Sequence, residues 1–429
     1  TCIEPSHTQP GAAFIAASRY DWDDFRPYIY KTSDYGKHWT AITTGLPDDQ
    51  YIESVRQDSG DPSLLFAGTS GTVYFSMDSG AQWQPLSLNL PAVRVSDVEI
   101  QPAQHAIVLA TFGRGFWVLD NLQYLEQLSS AKVSSDAPYL FKPQQTWLTT
   151  RRGGGYGPPR TGGANLASGA TVYFHLPADY DGSTPATLTF TDASGKLVHS
   201  YALHLKKKGK PEPLSTNPTL ARKQREERAT AVQPGMNHFQ WNLTYTDAVE
   251  VKGIYNSGFS AMPPTGPEVV PGTYYVTLAY GHTTSKQPFA VSLDPRLHTT
   301  QAQLEQRFAL LMRIHNAMNK LDTNLNAALD ARDALQKANS GSQAQPALDS
   351  LNRDIDNLVD LRIQSGEGAL VYPPRLRSWL SAISSQISTA LVPPTPAMVQ
   401  VANGYINDTD AGVARLKSDV AAANKLLKP

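Results

Sequence analysis

The sequence of 429 residues is poor in cysteine, in charge and in long apolar runs. Its one cysteine, Cys2, excludes an internal disulfide and any cluster held by several thiolates. Charged residues make up 17% of the chain, against roughly 25% in ordinary soluble domains. Lys+Arg 37 and Asp+Glu 38 leave a net charge of -1. That balance lacks the basic surplus that nucleic acid or an anionic membrane selects, so neither is expected as a partner. No run of about 20 apolar residues is present, and no helical membrane span is expected. The sequence holds no H-E-x-x-H, no P-loop and no G-x-S-x-G. No metal centre and no cofactor is therefore expected. The start, Thr1-Cys2-Ile3-Glu4-Pro5-Ser6, has neither an initiator Met nor a signal sequence. The expectation is a chain that begins after a processing event or inside a longer protein.

What the sequence has is turns and aromatics. Gly 30, Pro 31, Tyr 19 and Trp 7 accompany a hydrophobic content of 41%, too high for a disordered chain. Residues 1–125 read as short strands, among them 13–17, 64–67 and 106–110, each bounded by Gly, Pro, Asp or Ser. They contain a repeat. Tyr30-Lys31-Thr32-Ser33-Asp34-Tyr35-Gly36-Lys37-His38-Trp39 matches Tyr74-Phe75-Ser76-Met77-Asp78-Ser79-Gly80-Ala81-Gln82-Trp83, with Asp34 and Asp78 44 positions apart. Leu46-Pro47 and Leu90-Pro91 keep the same spacing. A strand-rich period of about 40–45 residues is the size of one four-stranded propeller blade. The unit [ST]-x-D-x-G-x-x-W is a turn device: the Asp accepts backbone N–H groups, the Gly takes a positive φ, and the Trp opens the next strand. Thr32, Asp34, Gly36, Trp39, Ser76, Asp78, Gly80 and Trp83 are thus expected to be structural.

This unit is the Asp-box, or bacterial neuraminidase repeat. The segment Pro27–Trp39 resembles large exported bacterial glycosyl-hydrolase-like proteins with neuraminidase repeats, related to sortilin-type propellers. So does Ala110-Thr111-Phe112-Gly113-Arg114-Gly115-Phe116-Trp117-Val118-Leu119-Asp120-Asn121. The resemblance implies a propeller, then a β-sandwich, then a helical region, in an exported bacterial protein that is periplasmic, surface-bound or secreted. A propeller needs at least about four blades. Residues 1–125 hold two Asp-box blades and the strands around 106–120, so they are expected to be the last blades of a ring. Either a missing N-terminal part or another chain would complete it.

Residues 126–138 read as a linker. Residues 139–296 read as an immunoglobulin- or fibronectin-like β-sandwich, with strands such as 171–176, 186–191 and 272–278 and an insertion at 204–232. Residues 297–429 read as an antiparallel helical bundle. Leu304, Leu311, Met318 and Leu325 recur every seven positions, with Ile314, Leu321, Ala328 and Leu335 beside them. Further stripes are Leu348/Leu351/Ile355/Leu358, Leu376/Leu380/Ile383/Ile387/Leu391 and Val399/Ile406/Val413/Leu416/Val420/Leu427. Thr395-Pro396 is a helix start signal. Burial of these stripes within the bundle competes with a helical arm that joins subunits. The fold class expected is multidomain, mainly β plus α.

Candidate chemistry concentrates in Tyr20-Asp21-Trp22-Asp23-Asp24-Phe25-Arg26-Pro27, which interrupts a blade. Asp23 and Asp24 are candidate catalytic carboxylates, and Trp22, Arg26 and Arg114 candidate ligand contacts, because carboxylates beside aromatic faces suit a carbohydrate or a cation. The competing reading is a blade loop closed by an Asp–Arg26 pair. Asp179-Tyr180-Asp181-Gly182 opens like a calcium loop but lacks the later acidic ligand. The glycine-rich stretch 151–163 has no phosphate-binding pattern. Two functions compete: a protein- or carbohydrate-binding assembly platform, and a glycoside hydrolase whose carboxylates lie largely outside this chain. A purely structural subunit joined through its helices is a third.

Overall fold

The computed structural model describes residues 2–86, 88–131, 133–150, 168–207, 209–215, 218–254, 265–338, 344–362 and 372–427. It is mixed β and α, and the chain divides into two compact units, Thr1–Ser134 and Ser135–Pro429. The glycine-rich stretch 151–163 lies outside the described residues.

Unit one holds three antiparallel meanders. In the first, β1 (Cys2–Pro5), β2 (Ala13–Arg19), β3 (Asp24–Thr32) and β4 (Thr40–Ala41) pair in chain order. In the second, β5 (Ile52–Gln57), β6 (Leu65–Thr69), β7 (Val73–Ser76) and β8 (Gln84–Pro85) do the same. The third has β9 (Val95–Gln101), β10 (Ala106–Thr111) and β11 (Gly115–Leu119). The sheets stack. Phe14, Ala16 and Ile29 of the first meet Val55, Ala67, Tyr74 and Trp83 of the second in one apolar core. Leu64, Phe66 and Val73 of the second region meet Val98, Ile107 and Leu109 of the third in another. Helix α1 (Gln123–Ser130) follows β11 and is tied down by His105 Nδ1–Glu126 Oε1 at 2.9 Å and Ser129 Oγ–Ser63 Oγ at 2.9 Å.

Unit two begins with two sheets. One joins β12 (Tyr139–Leu140), β14 (Ala170–Leu176) and β18 (Gly235–Trp241). The other runs in the order β13 (Thr146–Leu148), β20 (Thr283–Leu293), β19 (Gly272–Tyr280), β15 (Ala186–Asp192), β16 (Leu197–Leu205), β17 (Ala231–Val232). Strict alternation in β14 and β15 sends Val172, Phe174, Leu188 and Phe190 inward, where Phe190 stacks on Trp241 at 4.3 Å. The stretch expected as an insertion carries helix α2 (Pro218–Ala229) and β17, which pairs parallel with β16.

Among the described residues four helices follow: α3 (Gln301–Lys337), α4 (Gln345–Leu358), α5 (Leu376–Ser388) and α6 (Pro396–Leu426). Their stripes share one core, except that Leu304 and Leu391 join the core of the sheets. A capping box of Thr300 and Gln303 opens α3, and the Thr395 hydroxyl accepts from Met398 N at the start of α6. Against the expected alternation, α3 and α6 run in the same direction. Arg313 bonds Asn403 and Lys320 bonds Asp410, a constant offset of 90. By contrast α5 runs against α3 (Arg307 to Ile387, Asp322 to Arg377) and α4 against α6 (Ser350 to Asp419, Asp354 to Arg415). The connection 359–375 is long enough for such a crossover, whereas strict alternation goes with short loops.

Candidate ligand-binding site

The two repeated [ST]-x-D-x-G-x-x-W turns are nearly identical in their bonding. The Thr32 hydroxyl donates to Asp34 Oδ1 at 2.9 Å and accepts from Gly36 N at 3.1 Å, while His38 N donates to Asp34 Oδ1 at 3.0 Å. The Ser76 hydroxyl, Asp78, Gly80 N and Gln82 N repeat this at 2.7, 2.9 and 2.9 Å. Tyr35 and Ser79 adopt φ of 61° and 59°, followed by Gly36 and Gly80 at 83° and 92°. The boxes form the β3–β4 and β7–β8 turns. Their side chains are consumed by the turns, which leaves the chemistry to the other end of the strands.

At that end, four connections converge on Arg94. Tyr51 directly precedes β5 and Arg94 directly precedes β9, so they hold the same place in successive sheets. Each is pinned by the neighbouring hairpin: Ser70 N donates to Tyr51 O at 3.0 Å and Phe112 N to Arg94 O at 2.9 Å. The Arg94 guanidinium lies over the rings of Tyr20, Tyr51 and Phe112 at 5.8, 5.8 and 5.5 Å. Its Nε is 2.6 Å from Glu53 Oε1. Partial burial opposes the Arg94 charge, but the Glu53 carboxylate outweighs it and raises the pKa. Tyr20 stacks on Tyr51 at 4.9 Å, and Phe25 adds a third ring at 6.1 Å. Trp22, on the 3-10 turn Tyr20–Trp22, is 71% exposed, and Phe112 is exposed as well.

The sequence candidates fall into this picture unequally. Asp24 begins β3 and is saturated. Its Oδ1 accepts from Arg26 N and Nε at 3.3 and 3.0 Å, and its Oδ2 from Arg26 Nη2 and the Tyr28 hydroxyl at 3.0 and 2.7 Å. Arg19 stands 3.5 Å away. Arg26 first, then Tyr28, hold its carboxyl well below the usual range. A carboxyl so held is ionised at neutral pH. Asp23 caps the 3-10 turn in a left-handed conformation, φ 58°, and is exposed. Arg26 is committed to Asp24. Arg114 sits at the exposed tip of the β10–β11 hairpin, where its carbonyl accepts from the Trp117 indole at 3.2 Å. Asp181 is a turn residue that accepts from Ser183 N and Oγ at 2.8 and 2.6 Å. Sequence reasoning gave no role to Tyr51, Glu53, Arg94 or Phe112. The signal was available: Tyr51 and Arg94 stand 43 positions apart, one less than the 44-residue repeat.

No protein-family model matches the chain, and no curated protein matches it. Solved structures give faint likenesses. An ancestral GH74 enzyme aligns with a TM-score of 0.24 at 13% identity, over 49% of this chain and 28% of its own. YCF48 bound to D1 peptide gives 0.21 at 13%, over 50% and 59%. The GH74 xyloglucanase from Xanthomonas campestris gives 0.22 at 11%, over 69% and 64%. The chain thus spans less than two thirds of each of these proteins. At such scores the fold rests on the strand pairing itself.

Proposed function

We propose that unit one is a segment of an Asp-box β-propeller whose loop end binds carbohydrate, as a recognition platform and not as a hydrolase. One observation carries this reading: Arg94, beneath three rings and beside Glu53, is surrounded by exposed aromatic surface at the sheet end opposite the Asp-boxes. Aromatic faces take the apolar faces of sugar rings, and a guanidinium with a carboxylate takes their hydroxyls. Saturation of Asp24 weighs against the hydrolase alternative. The strand order in unit two supports the immunoglobulin-like assignment: β12, β14 and β18 follow A, B and E, and β15, β19 and β20 follow C, F and G. Export and bacterial origin belong to the same proposal and rest on the family resemblance alone.

The test is affinity electrophoresis of the 429-residue chain through gels that carry a panel of soluble plant and bacterial polysaccharides, with reducing-sugar release measured in parallel. Retardation by at least one polysaccharide is expected, lost in Trp22→Ala and Phe112→Ala, with no sugar released. Absence of retardation across the panel sinks the carbohydrate reading. Sustained release of reducing ends restores the hydrolase.

A further inference from the structure

Two arginines of unit two are buried among the described residues, Arg377 at 0% and Arg307 at 2% exposure. Arg377 has a bidentate carboxylate in Asp322, and Arg307 has none. From α3, Arg307 reaches the end of α5, where its Nε donates to Ile387 O at 3.1 Å and its Nη2 to Ser388 O at 3.2 Å. These are carbonyls that the last turn of a helix leaves without an internal partner, at the end that favours a cation. The Glu268 carboxylate comes only to 3.8 Å, from its Oε2 to Nη2. Burial lowers the Arg307 pKa, and Glu268 opposes this without cancelling it. The third nitrogen, Nη1, makes no hydrogen bond among the described residues.

Arg307 and Glu268 both line a cavity of about 80 Å³ within unit two. Its walls come from stretches far apart in the chain. Thr149 and Thr150 follow β13, and Ser388 ends α5. Glu268 is fixed by its bridge to Thr244, flanked by Tyr245 N donating to Pro267 O at 2.9 Å and Val269 N to Leu243 O at 2.8 Å. The Thr244 and Thr389 hydroxyls are spent on Asn242 Oδ1 and Gln386 O. Those of Thr149, Thr150, Thr265 and Ser388 line the cavity and form no hydrogen bond among the described residues, so each can donate or accept. At about 10–15 Å³ for each water, the space takes roughly five to eight water-sized groups.

The charges select the ligand. Arg307 and Glu268 sum to zero, so a simple anion or a simple cation gains one attraction and meets one repulsion. A zwitterion finds both partners of the right sign, and a separation of 3.8 Å suits two charges joined through one carbon. We propose that this cavity binds a small free α-amino acid, of the size of glycine, alanine or serine. Its carboxylate accepts from Arg307 Nη1, and its ammonium donates to Glu268 and the threonine hydroxyls. Buried donors without a partner are costly, and an ionised acceptor removes that cost with charge-assisted bonds. The site lies in unit two and is independent of what the loop end of unit one binds.

The test is isothermal titration calorimetry of the 429-residue chain with glycine, L-alanine and L-serine. Acetate, methylammonium and glycerol serve as the anion, the cation and the polyol alone. At least one amino acid should bind with a Kd below about 1 mM, and each partial ligand at least about tenfold more weakly. Glu268→Gln keeps the side-chain volume, so far-UV circular dichroism should not change. It should weaken the amino acid more than about tenfold and tighten acetate, because the Arg307 charge is no longer offset; a purely structural role for Glu268 gives no such opposite shifts. Arg307→Lys keeps the charge without the fork and should weaken the amino acid and acetate alike. If that variant does not fold, the Glu268→Gln reversal still decides. No heat with any amino acid up to about 10 mM overturns the proposal and leaves the cavity to water. Acetate or glycerol binding as tightly as the amino acids overturns it in favour of an anion or polyol site. An affinity unchanged by Glu268→Gln puts the amino acid elsewhere and overturns it too. Polysaccharide retardation of Glu268→Gln should match wild type, so the two readings fail separately.

Discussion

Replacing Arg377 or Asp322 alone should destabilise unit two far more than replacing both. The two side chains meet between α5 and α3 with no solvent exposure on either, Nε to Oδ1 at 2.9 Å and Nη2 to Oδ2 at 3.0 Å. Burial pushes the Asp322 carboxyl up, and Arg377 opposes that by charge and by hydrogen bond. The pair is therefore a balance of a large desolvation cost against a large attraction. Arg377→Met leaves a buried carboxylate with its bidentate donor gone, and Asp322→Leu leaves a buried guanidinium. Each single change should cost about 3–5 kcal/mol. The double variant replaces both charges by apolar groups of similar volume and should lie within about 1–2 kcal/mol of wild type. The coupling between the sites is then several kcal/mol, as expected for residues in direct contact.

Differential scanning calorimetry is the assay, because a chain of two compact units can melt in separate steps that a single probe blurs. The transition of unit two should fall by roughly 10 °C in each single variant, at about 2–4 °C per kcal/mol for a large domain. It should return most of the way in the double variant. Single variants that shift it by less than about 2 °C, or effects that simply add, would refute the argument that the pair is a sealed ionic contact.

Three further outcomes follow from the geometry. Trp83→Ala, at a 1% exposed site, should cost about 3–5 kcal/mol in urea unfolding; Trp39→Ala, at 39%, should cost roughly 2 kcal/mol less, and equal costs would break the face comparison. The Asp34 carboxyl is held down at about 2, chiefly by the His38 backbone N–H and then by its ring. A depressed carboxyl stabilises the fold above its unfolded value of 3.8 and loses that contribution as pH falls toward 2. Acid titration followed by tryptophan fluorescence should show Asp34→Asn shallower than wild type across that window. Asn326→Ala removes an acceptor for Lys252 N at 2.8 Å and a donor to Glu250 O at 2.9 Å. It should speed limited proteolysis within 246–254, and unchanged cleavage would show that the apolar anchors Ala248, Val251 and Ile254 suffice.

What could be read from sequence divides by chain distance. The repeated turns are local: every donor and acceptor lies within a few residues, so the pattern at 32–39 implied its own hydrogen bonds. The helical stripes were legible for a similar reason, since a 3.6-residue period is written into one segment. The direction of α6 was not, because it depends on the 359–375 connection and on pairs such as Lys320–Asp410, 90 residues apart. The Asn319 and Asn326 amides also look like ordinary exposed helix residues. Only the fold lays 249–252 across them, at one heptad spacing. The Arg94 cluster fell between the two cases. Its members come from four connections, yet two of them occupy the same repeat position.

That last case shows where a repeat carries information beyond its motif. The box is the loudest part of the period and the least available for function, since its side chains satisfy one another. Positions that are repeat-equivalent but differ in residue or exposure are quieter and say more. Tyr51 against Arg94 locates the place where one sheet after another presents its first residue to the same end. Val55 against Ile3, and Trp83 against Trp39, locate the place where one sheet is covered and its sibling is not. In both comparisons the shared backbone geometry acts as an internal control. The difference that remains is one of surroundings, and polysaccharide retardation tests the surroundings that Tyr51 and Arg94 share.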